Sequence, residues 1–165
     1  MSRAAPAPQV RAERGARVPR VPPPFYYGVA FAAGMLLRGA GGALAIGARP
    51  ATAVIGAVVL AAGVALALAG IVEVVRHRTT IVPHRPVSTL VTTGAYRISR
   101  NPMYTGLALS YLGGALLAGS WWPPVTFPLA LLAVRGLVIG PEERHLAGKF
   151  GQTYLDYRTR VRRWL

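Results

Sequence analysis

The chain has 165 residues, 53% hydrophobic and 15% charged, with 19 Lys and Arg against 5 Asp and Glu. A formal charge of +14 on so apolar a chain excludes wholesale disorder, because disordered basic proteins lack apolar residues, and the long uncharged runs argue against a compact soluble domain. The absence of cysteine excludes a disulfide framework, a thiolate nucleophile and Cys-ligated metal sites.

In chain order, residues 1–22 read as a disordered, Arg-rich tail and residues 23–165 as a single all-α integral membrane helical bundle. Four transmembrane helices are predicted. The first, about 24–44, follows Pro22-Pro23-Pro24 and ends in the Gly-rich patch around Arg38. The second, 51–73, opens with 22 uncharged residues from Ala51 to Val72, enough to cross a hydrocarbon core of about 30 Å. The 34 uncharged residues from Asn101 to Val134 are too many for one span. Ser120-Trp121-Trp122-Pro123-Pro124 divides them into 103–119 and 124–140, since prolines stop helices and tryptophans favour the membrane interface. Gly106, Ala108, Gly113, Gly114, Ala115, Ala118 and Gly119 are expected to pack helices closely. An amphipathic cytoplasmic helix, 142–163, follows, with Phe150, Tyr154 and Tyr157 among its apolar residues. Its outer face suits the membrane surface, and its tyrosines can close a pocket over the span ends.

Arginines concentrate before the first span, between the second and third, and after the fourth. The positive-inside rule then places both termini and the 73–101 loop in the cytoplasm, and an even number of spans agrees. The basic charge is accounted for by topology and anionic headgroups, so no nucleic-acid partner is expected. His77, His84 and His145 lack the spacing of a metal site, and no metal is expected. Ser88, Ser99 and Ser110 have no nucleophile-elbow context, and neither GxGxxG nor a P-loop is present.

The residues suited to chemistry gather on the cytoplasmic side. Asn101-Pro102 reads as a helix start with Asn101 as N-cap, a place where free N–H groups can meet a carboxylate. Tyr96 and Tyr104 flank it, and aromatic faces stabilise sulfonium or ammonium groups. Glu142-Glu143 after Pro141 suits an ordinary helix start, but paired carboxylates also accept hydrogen bonds from a ribose diol or an ammonium group.

The blocks Gly94-Ala95-Tyr96, Arg100-Asn101-Pro102-Met103-Tyr104-Thr105-Gly106, Glu142-Glu143 and Phe150-Gly151-Gln152-Thr153-Tyr154, in this order and separated by two spans, are specific in combination. The chain over about 83–165 resembles the isoprenylcysteine carboxyl methyltransferase family and the related phospholipid methyltransferases. The resemblance implies S-adenosyl-L-methionine as methyl donor. It implies donor contacts at Ser88, Thr89, Leu90, Val91, Tyr96, Asn101, Pro102, Met103, Tyr104, Glu142 and Glu143. Asn101 stands where the eukaryotic enzymes carry His, which argues against a general base there. Val138 stands where they carry an Arg, and Arg135, about one turn earlier, is the candidate to replace it. Arg135 and Tyr104 are the candidate catalytic residues.

The expected activity is methyl transfer to a lipophilic or small-molecule acceptor at the cytoplasmic membrane face, driven by alignment and desolvation, with the acceptor arriving between the third and fourth spans. The expected surroundings are the lipid bilayer of a bacterial inner (plasma) membrane, on the Arg-, Ala- and Gly-rich composition. The alternative is a non-catalytic membrane scaffold or accessory subunit, in which Glu142, Glu143, Arg97 and Arg100 form a plain salt-bridge network.

Overall fold

A computed structural model describes residues 21–42, 44–78 and 89–165. The predicted tail, for residues 1–20, and Ser88 and His84 lie outside the described residues. The described chain is all-helical, and its one β-like feature is an isolated antiparallel bridge between Ala45 and Ser120. Helix α1 runs Pro23–Gly41, α2 Ala51–Arg76, α3 Pro102–Ala118 and α4 Trp122–Val134. A single 3-10 turn, Gly94–Arg97, precedes α3. After α4 comes a π-helical turn, Arg135–Ile139, then α5 Gly140–Phe150 and α6 Gln152–Arg160. The starts and ends of the four predicted spans reappear as the helical segments, to within a few residues, except at the end of the fourth.

Among the described residues, two helices are long and apolar enough to cross a membrane: α2, with 26 residues and a mean hydropathy of 2.6, and the continuous helix Trp122–Phe150, with 29 residues and a mean hydropathy of 1.5. α2 exposes Val54, Ile55, Val58, Leu68 and Val75, and α4 exposes Val125, Leu129 and Leu132. So much contiguous aliphatic surface is costly in water and is what lipid covers.

The helices pack as two antiparallel pairs, α2 with α3 and α1 with α4. Glycine makes the first pair close. Gly56, Gly63 and Gly70 recur every seven residues on the buried face of α2, against Gly113, Gly106 and Pro102-Met103 of α3. A Cβ at Gly63 would stand 2.6 Å from the Ser110 nitrogen and 2.7 Å from the Gly106 carbonyl oxygen, so here backbone meets backbone. Small residues allow this approach where lipid tails offer no hydrophobic drive between helices. The second pair is joined through Thr126, whose hydroxyl donates to the Ala30 carbonyl at 2.8 Å. Tyr111 of α3 donates to the Pro123 carbonyl at 2.8 Å and so ties α3 to α4. The apolar centre lies where α1, α3 and the Trp122–Phe150 helix meet, around Tyr27, Ala108, Val134 and Ile139.

At one end of the bundle Arg38 and Arg49 donate to the Ala118 carbonyl at 2.9 and 3.3 Å. Two cations thus sit at the negative end of the α3 dipole, and Gly119 closes the helix at φ 63°. The start of α1, the end of α2, the start of α3 and all of α6 lie at the opposite end.

Two predicted features are corrected. Pro141 does not start a new helix, because the chain from Trp122 to Phe150 is continuous. Proline has no N–H and its ring crowds the carbonyl four residues earlier, and the helix meets this by widening, with the Gly140 N–H donating to the Arg135 carbonyl. The C-terminal helix 142–163 is broken in two by Gly151, at φ 52°, and stops at Val161, which is extended at φ −121° and ψ 132°.

The α2–α3 contact is testable. Gly63→Val is expected to destabilise the detergent-solubilised protein by about 1–3 kcal/mol through overpacking. Gly28→Ala, on α1 with nothing near its Cβ position, should stabilise it by about 0.5–1 kcal/mol through helix propensity. Thermal melting of the two variants beside the unmodified protein measures both.

Candidate functional site

A narrow cleft opens at the end of the bundle away from Arg38 and Arg49. Its walls come from four places: the end of α2, the 89–103 segment leading into α3, the start of α5, and α6.

The 89–97 segment is pinned to α2. The Thr93 hydroxyl donates to a Glu73 carboxylate oxygen, and the His77 ring nitrogen Nδ1 sits 2.9 Å from the Glu73 carbonyl. Gly94 follows at φ 54°, and a Cβ there would fall 2.5 Å from Glu73 Oε2. The backbone angle favours glycine at this point, and a Cβ would also displace the Glu73 carboxylate. The 3-10 turn that results carries Tyr96 into the cleft wall, where the Tyr157 hydroxyl of α6 donates to the Tyr96 carbonyl at 2.6 Å.

The start of α3 is held by the last residues of the chain. The Arg100 N–H donates to the Arg162 carbonyl at 2.9 Å, and the Ser99 hydroxyl and the Asn101 side-chain amide both donate to the Arg163 carbonyl at 3.1 Å. Ser99 is fully buried and also accepts from the Asn101 N–H at 3.1 Å. Asn101 therefore does not cap α3 with its side chain, as its position suggested. Its amide is committed to the strap formed by residues 161–164, and its carbonyl accepts from the Thr105 N–H at 2.9 Å.

The carboxylates are held differently from each other. Glu142 accepts from the Tyr104 hydroxyl at 2.9 Å. Glu143 accepts from Arg163 through both oxygens, at 3.0 Å from Nε and 2.6 Å from Nη2, a bidentate charge-assisted pair. Its Oε1 also lies 3.5 Å from Nη2 of Arg100. The Arg100 side chain is only 9% exposed, yet its Nε and Nη1 have no hydrogen-bond partner among the described residues. Buried donors without partners are costly, and an anion in the cleft would satisfy them.

The phenols are donors, not bases. Burial first, then the charge of Glu142, raises Tyr96 above the ordinary phenol range. Burial, then Glu143, pushes Tyr154 up to about 12. Both stay protonated at neutral pH. The pair with Glu143 raises the Arg163 guanidinium in turn.

Of the residues expected from sequence to contact a donor, the cleft gathers Thr89, Leu90, Val91, Tyr96, Asn101, Met103, Glu142 and Glu143. Pro102 is buried behind them as the first residue of α3, and Tyr104 reaches the site only through Glu142. Arg135 is exposed in the π turn and is not among the lining residues. The cleft also contains Val74, Arg100, Leu146, Tyr154 and Tyr157. Arg100 was legible as the first residue of its motif block, and the tyrosines from helical spacing. Arg163 carries no local signal. Among the described residues no three His, Asp or Glu side chains form a group able to hold a metal.

Residues 51–153 match the family model described as phospholipid methyltransferase. Over 72 residues the chain is 36% identical to the Protein-S-isoprenylcysteine O-methyltransferase of Schizosaccharomyces pombe, an alignment covering 44% of this chain and 30% of that protein. No solved structure matches the chain.

Ser99→Ala removes the buried hydroxyl that the strap and Asn101 share. It is expected to cost about 1–3 kcal/mol, with faster hydrogen exchange at residues 161–164 than in the α2–α3 interface. Exchange measured by mass spectrometry on the variant and the unmodified protein checks this.

Proposed function

Because the chain belongs to the phospholipid methyltransferase family, we propose that it is an integral membrane enzyme that uses S-adenosyl-L-methionine to methylate a lipophilic or small-molecule acceptor at the cytoplasmic membrane face. The observation that carries this reading is the buried Arg100 guanidinium, with Nε and Nη1 unpartnered among the described residues, in the wall of the cleft that holds Glu142 and Glu143.

The residues present fit such a donor. Arg100 binds its carboxylate, a role the α3 N-terminus is poorly placed to fill because it packs on α2 at Gly70. Tyr96, Tyr154 and Tyr157 offer aromatic faces to the sulfonium, and Glu142 and Glu143 accept from its hydroxyl or ammonium groups. Thr89, Leu90, Val91, Asn101 and Met103 complete the wall, with Pro102 behind them and Ser88 preceding them in the chain. When bound, the donor supplies an electrophilic methyl group for in-line displacement by the acceptor. The chain's own part is alignment and exclusion of water, and Tyr104 serves by orienting Glu142.

The acceptor's apolar portion fits a second pocket of about 190 Å³, between the start of α1, α2 and α3, lined by Pro23, Ala67, Ile71, Tyr104 and Leu107. Met103 lines both this pocket and the cleft, so the two are separated by one side chain. The expected route between α3 and α4 is less suited, because Tyr111, Thr126 and Phe127 fill that seam.

In this reading α1 to α4 are four spans within one domain, 23–165, with the cleft and both termini in the cytoplasm. The surroundings are a bacterial inner membrane, and Arg135 snorkels to its interface. The scaffold reading draws on one observation, the Arg100–Glu143–Arg163 ion-pair network, which can be structural alone.

Calorimetry on the detergent-purified protein separates the two. The enzyme reading expects saturable binding of S-adenosylmethionine and S-adenosylhomocysteine, lost in the Glu142→Gln, Glu143→Gln double variant and weakened about tenfold or more in Arg100→Met. A well-folded wild type that binds neither compound, with membrane lipid added back, overturns the enzyme reading and favours the scaffold.

A further inference from the structure

Glu143 lies between two arginines and is shared unequally. Arg163, from the strap after α6, takes both carboxylate oxygens at 3.0 and 2.6 Å. Arg100, from the segment before α3, meets one of the same oxygens at 3.5 Å through a single nitrogen. The Glu143 side chain is 11% exposed, so its charge requires a cation close by. Without Arg163, Arg100 is the other cation beside it among the described residues, and its Nη2 can form a fork on the carboxylate together with either idle donor, Nε or Nη1.

We propose that Arg163 is a positioning residue: by holding both oxygens of Glu143 it keeps that carboxylate off Arg100 and leaves the Arg100 donors available to the carboxylate of the methyl donor. The inference rests on the donor reading above and adds to it a residue that lies outside the 51–153 family match. Arg163 acts through Glu143 and Arg100. Its backbone already holds the strap, since the Arg162 and Arg163 carbonyls accept from Arg100, Ser99 and Asn101 whatever the side chain is. The guanidinium is thus separable from the fold of the strap.

The test compares two ligands on the full chain in detergent. S-adenosylhomocysteine carries the amino-acid carboxylate, and 5′-methylthioadenosine lacks it. In Arg163→Met the Kd for S-adenosylhomocysteine is expected to rise about tenfold or more, and that for 5′-methylthioadenosine to change less than about twofold. Arg163→Lys, which offers a point charge in place of a fork, should show a smaller loss with the same selectivity. Equal losses on both ligands mean that Arg163 only supports the fold of the cleft, and no loss means that Glu143 does not compete for Arg100. Either result overturns the proposal. If Arg163→Met does not fold, the selectivity of Arg163→Lys decides on the same terms. A wild type that binds no S-adenosylhomocysteine overturns the donor reading itself, and this shows before any variant is measured.

Discussion

The backbone-to-backbone contact of α2 with α3 is the constraint from which the rest follows. Three glycines at seven-residue spacing bring α2 close to α3, backbone to backbone at Gly63 and against the Pro102 and Met103 side chains at Gly70. That contact fixes the end of α2 against the start of α3 to within the thickness of a peptide. Val74 of α2 and Met103 of α3 therefore share a wall, and Glu73 is near enough to anchor Thr93 and to lie against Gly94. Any looser pairing, with leucines in the seam, would move these ends apart and open the cleft along its length.

Charge is distributed with equal economy. Arg38 and Arg49, at one end, are taken up by carbonyls at the end of α3. At the other end two buried carboxylates meet two arginines and a tyrosine, and the hydrogen bonds do not divide evenly among them. Burial makes such an imbalance consequential, because a low-dielectric site strengthens every pairing and every omission. The omission is at Arg100, whose Nε and Nη1 lack a partner among the described residues.

Much of the architecture was legible in the sequence, because uncharged runs bounded by prolines and tryptophans leave little freedom about where helices begin and end. The starts of α2 and α3 fall within a residue of their expected places. Convergence of Thr89–Val91, Tyr96, Asn101, Met103 and the glutamates was legible for another reason: the motif blocks name residues that only a fold can bring together. Other features were not legible. The glycine spacing in α2 was present in the sequence, but pairing it with Gly106 and Gly113 requires knowing which helices touch. Asn101 looked like an N-cap because local sequence cannot show that residues 62 positions away compete for its amide. Arg163 is one arginine in a run of several, and only its contact distinguishes it.

The π turn changes how spacing along the Trp122–Phe150 helix converts to direction. Closing a hydrogen bond over five residues adds one residue within the turn, so positions four apart across it no longer stack. Val138, four before Glu142, is 1% exposed and belongs to the apolar core with Val134 and Ile139. Removing one residue between 135 and 139 would restore plain helical pitch and leave the glutamate pair facing Tyr104, because the turn already absorbs the extra residue. The surplus residue thus resets the helical count without turning the carboxylates that follow it.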